Sequence, residues 1–88
     1  MKVKDGYILR QVADSYVVIP LATETVNFDG IINLNKTGAL LWDLLKEHTT
    51  YDALAETLIE MYDVSNEVAL QDVTAFVAKL DSAHCIEY

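Results

Sequence analysis

Residues 31–45 read Ile31-Ile32-Asn33-Leu34-Asn35-Lys36-Thr37-Gly38-Ala39-Leu40-Leu41-Trp42-Asp43-Leu44-Leu45, and the apolar period changes inside this stretch. Asp29-Gly30 opens an apolar run over residues 31–34, the length of a short strand. From Leu40, the residues Leu40, Leu41, Leu44 and Leu45 recur at helical spacing, with Trp42 on the flank. Asn35 or Thr37 can cap that helix, because a side-chain oxygen there satisfies an amide that has no partner within the helix. The chain therefore changes from strands to helices near residue 35.

Upstream of the change, strands are expected. Tyr7-Ile8-Leu9-Arg10-Gln11-Val12 and Tyr16-Val17-Val18-Ile19 are rich in β-branched and aromatic residues, with the short polar break Ala13-Asp14-Ser15 between them. That pattern predicts a hairpin. Pro20 ends the second run or sits near its edge. Leu21 to Asn27 gives mixed signals and reads as a loop.

Downstream, two more helices follow. Thr49-Thr50 opens the second, with capping-box spacing from Thr49 to Asp52. Leu54, Leu58 and Met61 form its expected buried stripe, with Ala55, Ile59 and Tyr62 beside it. After Asp63-Val64, Ser65 caps the third helix, and Glu67 stands in its first turn, where the helix dipole favours an anion. Leu70, Val73, Val77 and Leu80 share one face of this helix and are its expected core. About 100° round lies a mixed stripe: Ala69, Asp72, Phe76 and Lys79. A solvated face rarely carries a phenylalanine, and a buried face rarely carries two charges. The stripe reads as the border of a groove, or else as ordinary core at Phe76 with charges reaching out to water.

Strands in one run and helices in the next predict an α+β fold, a three-stranded antiparallel sheet with three helices on one face (β-β-β-α-α-α). At 88 residues and 52% hydrophobic, the chain is expected to form one domain over 1–88. The third strand, 31–34, has no Pro or Lys to blunt its edge, and Asn33 is its only polar residue. Such an edge can accept another strand, or pair or swap with its twin in a homodimer. If the third helix lies beside it, the mixed stripe walls the same groove.

Composition narrows the function. Residues 1–50 carry six acids and five bases, while residues 51–88 carry eight acids and Lys79 alone, for a total net charge of −8. A surface of that sign repels phosphate backbones, so nucleic acid is not an expected partner. A β-rich segment with three short helices also suggests a winged-helix regulator or dimerisation module. Its recognition helix, residues 65–83, would present Glu67, Asp72 and Asp81 against one base. The single cysteine, Cys85, forms no internal disulfide and suits a reducing compartment. No apolar h-region follows the basic N-terminal residues, and no apolar stretch approaches the roughly 20 residues that span a bilayer. The sequence thus predicts a soluble, cytoplasmic protein without a membrane partner.

Motifs for catalysis, metal or cofactor binding are missing. There is no Cys-x-x-Cys, no His pair at i, i+4 and no calcium loop, and Gly6, Gly30 and Gly38 stand isolated. His84 abuts Cys85, but sequence neighbours are seldom placed to share a proton, and a His near a helix C-terminus also suits the dipole. Asp81-Ser82 resembles the phosphopantetheine site of carrier proteins, yet it closes a helix instead of opening one. Asp52, Glu56, Glu60 and Asp63 recur at helical spacing and read as a solvated face. No enzyme, cofactor or metal site is expected, and protein recognition remains.

Several segments together resemble the PqqD-like proteins, relatives of pyrroloquinoline quinone synthesis protein D. These are Tyr7-Ile8-Leu9-Arg10, Tyr16-Val17-Val18, Ile32-Asn33-Leu34-Asn35-Lys36-Thr37-Gly38, Leu41-Trp42-Asp43-Leu44-Leu45, Tyr62-Asp63-Val64-Ser65, and Asp72-Val73 with Phe76 and Leu80. The resemblance covers nearly the whole chain, and the Leu-Asn-x-Thr-Gly segment is its most specific part. It implies a winged-helix-like recognition element that binds the leader of a ribosomally made precursor peptide and presents it to a modifying enzyme, often a radical SAM protein. It further implies that the leader adds as a strand along Ile31, Ile32, Asn33 and Leu34 and rests against Asp72, Phe76 and Lys79, while Ala69 joins the candidate wall from the stripe alone. The family commonly has a glycine after the last helix, where this chain has His84.

Overall fold

The computed structural model of the chain describes residues 1–20 and 32–88. Strands β1 (Lys2–Val3), β2 (Tyr7–Val12), β3 (Ser15–Pro20) and β4 (Ile32–Leu34) precede helices α1 (Lys36–Leu44), α2 (Tyr51–Tyr62) and α3 (Asn66–Ser82), and β5 (Ile86–Glu87) closes the order. The antiparallel sheet β2-β3-β4 followed by three helices is the expected α+β arrangement. β1 and β5, which no sequence pattern announces, pair antiparallel as a second, two-stranded sheet. Two residues are too few to show a period, and only the partner strand defines them. Lys4 N–H donates to the Cys85 carbonyl at 2.7 Å, extending this ribbon, and Val3 N–H donates to the Leu45 carbonyl at 2.8 Å, tying it to the end of α1.

The hairpin turn is Ala13-Asp14, with Val12 opposite Ser15. Ala13 takes φ 55°, a left-handed conformation that two-residue hairpins demand at this position. Each helix begins on a side-chain cap: Asn35 Oδ1 accepts from Gly38 N–H at 2.8 Å, Thr50 Oγ1 from Ala53 N–H at 3.1 Å, and Ser65 Oγ from Val68 N–H at 3.2 Å. Of the paired candidates, Asn35 caps α1 and Thr50, not Thr49, caps α2.

α3 ends in a Schellman motif. Cys85 N–H reaches the Leu80 carbonyl and His84 N–H the Asp81 carbonyl, both at 3.0 Å. This geometry places the residue after the cap in the left-handed region, and His84 takes φ 61°. His84 thus adopts the conformation a glycine would take without strain. A His84→Gly change is expected to raise stability by about 0.5–1 kcal/mol, the relieved left-handed strain outweighing the added freedom of the unfolded chain. An unchanged or lower urea midpoint would count against strain at this site.

The core joins Val18 and Leu34 of the sheet to Leu41, Trp42 and Leu45, Leu54 and Leu58, and Val73, Val77 and Leu80. Three expectations shift by a part-turn of helix. Trp42, placed on the flank from sequence, is 1% exposed and central. Met61, placed in the stripe of α2, is 59% exposed. On α3 the buried line is Ala69, Val73, Val77 and Leu80, with Leu70 only half-buried. Asp52, Glu56, Glu60 and Asp63 are all exposed, as a solvated face requires.

Candidate functional site

The hairpin decides which way each strand's amides point. With a two-residue turn, Val12 and Ser15 exchange both main-chain bonds, and hydrogen-bonded pairs then alternate along the ladder. The register Arg10↔Val17 and Ile8↔Ile19 turns Val17 and Ile19 toward β2, so Tyr16 and Val18 face β4. Tyr16 pairs with Leu34 and Val18 with Ile32. Asn33, between them, therefore directs its N–H and C=O to the outer edge. Its side chain is exposed, while Leu34 is buried and Ile32 half-buried against the core. Among the described residues β3 is the one strand partner of β4. Ile31, expected on the same edge, lies outside the described residues.

Helix α3 flanks that edge. Lys79 Nζ donates to the Asn33 carbonyl oxygen at 2.9 Å, across 46 residues of sequence. Phe76 is half-buried above the first turn of α1: a Cβ added to Gly38 would stand 3.2 Å from its Cε1 and 3.3 Å from Leu34 Cβ. The space between that turn (Asn35, Thr37, Gly38) and α3 (Asp72, Ala75, Phe76) forms an open concavity of about 280 Å³, with Leu41 also lining it. Asp72 and Lys79 are exposed. Strand edge, aromatic wall, one acid and one base thus form a continuous surface that can take an extended chain.

Of the expected wall residues, the structure brings Asp72, Phe76 and Lys79 to this surface and takes Ala69 away from it. Ala69 is fully buried in the core cluster. Sequence reasoning missed Asn35, Thr37, Gly38 and Ala75. One signal was available, since a glycine inside a helix costs about 1 kcal/mol relative to alanine, so its presence marks a close approach.

Elsewhere the chemistry is sparse. Among the described residues no three His, Cys, Asp or Glu side chains stand close enough to hold a metal ion, and no helix is long and apolar enough to cross a membrane. His84 is exposed and Cys85 buried, so these neighbours do not share a surface. Burial pushes the Cys85 thiol above its ordinary 9.0, opposed in part by a hydrogen bond from Tyr7 and the charge of Lys4. Burial, with Cys85 beside it, likewise raises the Tyr7 phenol above 10.0.

Both groups are therefore held neutral by the folded state. Their contribution to stability is intact below about pH 9 and is lost as pH rises through their folded values. The urea midpoint should fall as pH rises above about 9, and Cys85→Ala should flatten that fall. A Cys85→Ala variant with an undiminished fall would assign it to other groups.

Comparison with known proteins places these features in a wider set. The family described as Coenzyme PQQ synthesis protein D (PqqD) matches residues 16–86. No curated protein matches the chain. Solved structures of similar fold include TbiB1 in complex with the TbiA(beta) leader peptide, with a TM-score of 0.78 and 22% identity, covering 99% of this chain and 95% of that one. Another is lasso peptide synthetase B1 complexed with the leader peptide, with a TM-score of 0.71 and 21% identity over 91% of this chain and 88% of that one. At these identities the likeness is one of fold.

Proposed function

The chain belongs to the coenzyme PQQ synthesis protein D (PqqD) family, and from that premise we propose that it recognises the leader segment of a ribosomally synthesised precursor peptide by strand addition and presents it to a modifying enzyme. The observation that carries this reading is Asn33, whose main-chain N–H and C=O turn outward beside Phe76 and the concavity over Gly38. An added strand gains main-chain hydrogen bonds from such an edge, and the pocket beside it chooses among side chains. The solved relatives of this fold, in complex with leader peptides, support the same reading.

In this role Ile32, Asn33 and Leu34 offer the edge, and Asp72, Phe76 and Lys79 the wall. Ile31, outside the described residues, is proposed as a further peptide contact. The protein acts by binding and orienting, not by catalysis, and the enzyme it serves is a radical SAM protein or a cyclase or protease of peptide maturation. The setting is the cytoplasm, where precursor peptides are made. The same edge pairs with a second copy only while the leader is absent.

The test is a titration of isotope-labelled protein with synthetic leader segments of precursor peptides encoded beside its gene. Amide shifts centred on Asn33, Leu34 and Phe76 are expected. Binding that leaves these amides unmoved would place the site elsewhere and end the strand-addition reading.

A further inference from the structure

The hydrogen bond that joins α3 to β4 occupies the place an added strand needs. β4 has three residues, and of these Asn33 alone turns its main-chain groups outward. Its carbonyl is the acceptor that β4 offers to an incoming N–H, and Lys79 Nζ already sits on it at 2.9 Å. Lys79 also differs from the other lysines with assigned ion pairs. Lys2 lies against Asp5 and Glu87, and Lys46 against Asp43. Among the described residues Lys79 has no such carboxylate, so a main-chain carbonyl is its acceptor.

Resting on the strand-addition reading, we propose that Lys79 is a displaceable, specificity-determining residue. It covers the Asn33 carbonyl while no peptide is bound, yields it to the N–H of an added strand, and then pairs with a carboxylate side chain of that strand. The peptide that binds best therefore carries an Asp or Glu facing Lys79.

Three observations support this assignment. The Lys79–Asn33 bond is exposed, so water can attend the exchange and no buried charge is stranded. An ammonium that loses its acceptor beside a docked chain favours a nearby anion, and among the described residues no carboxylate is within ion-pair distance of Lys79. The overall charge of −8 disfavours acidic peptides in general. An acid preference confined to one position is thus a local effect of Lys79 and not of the global field. Asp72 stands two turns away on the same helix face, about 10 Å by helical rise, which an extended chain covers in about three residues. It favours a base at that second position, so the two charges also read the direction of the bound chain.

A display library of random 12-residue peptides, selected against the full chain and against Lys79→Met and Lys79→Glu, tests this. The exposed position lets both variants keep the fold, which circular dichroism checks. The wild-type pool is expected to show Asp or Glu enriched about two- to fivefold at one position, the range of an exposed ion pair. That preference should vanish with Lys79→Met and reverse to Lys or Arg with Lys79→Glu. A selected peptide without acids should bind Lys79→Met more tightly than wild type, because its competitor for Asn33 is gone. Selected peptides that shift the Asn33 and Leu34 amides with no positional acid preference, or with the same one in all three proteins, overturn the proposal for Lys79 and leave strand addition standing. Pools that bind without moving those amides overturn strand addition, and the proposal with it.

Discussion

Replacing Trp42 with alanine is expected to destabilise the folded chain by about 3–5 kcal/mol, most of the marginal stability of a domain this size. The indole is 1% exposed and belongs to the cluster that joins Leu34 and Val18 of the sheet to Leu54, Leu58 and Leu80 of the later helices. Its loss removes the largest fully buried side chain and leaves a void between layers. Neighbours on α1 cannot close that void without moving the first turn, which Asn35 caps and Gly38 packs against Leu34. The damage therefore reaches the groove as well as the core. Urea unfolding measures the effect, and Met61→Ala is the control, since an exposed side chain should change stability by less than about 0.5 kcal/mol. A Trp42→Ala loss below about 1.5 kcal/mol would contradict the packing described.

Replacing Phe76 with alanine is expected to weaken leader binding by about 1–3 kcal/mol, the usual range for an aromatic anchor. Phe76 is already partly buried, its ring against Gly38 in the first turn of α1, so it is held in place before a peptide arrives. A pre-positioned ring loses little entropy on binding, which makes aromatic anchors effective. Truncation also opens the space over Gly38 and removes one wall of the concavity. The converse change, Gly38→Val, fills that space from the other side: its Cβ alone would stand 3.2 Å from the Phe76 ring. Both variants should lose affinity, one by a missing wall and the other by a blocked pocket. Titration calorimetry below the melting temperature of each variant separates binding from folding. Unchanged affinity in a folded Phe76→Ala protein would remove the ring from the site.

Much of the fold was legible because it rests on local rules. The hairpin follows from two β-rich runs and a short polar break, and the change to helix near residue 35 from a change of period. Ser65 was legible as a cap, and the other two to within a residue or two: Asn35, Thr50 and Ser65 each bond an amide three residues on. Less legible was the rotation of each helix. Trp42, Met61, Leu70 and Ala69 all sit near the border between core and solvent stripes. There the period leaves two or three orientations nearly equal, and contacts with the neighbouring element choose among them.

The candidate site divides in the same way. Asn33 as the polar residue of an unblunted strand, and Asp72, Phe76 and Lys79 as a mixed stripe, could be read from residue type and spacing alone. The amino-acid sequence by itself determined the order of the three main strands and three helices, the Ser65 cap, the acidic surface and the family. Each depends on residues close together in the chain or on sums over it. Tertiary structure alone decided that Asn33 turns its amide outward, that Ala69 belongs to the core, and that Gly38 receives the Phe76 ring. It also set Lys79 on the Asn33 carbonyl, 46 residues away. Those contacts depend on register and helix rotation, which are fixed when the sheet and the helices pack together.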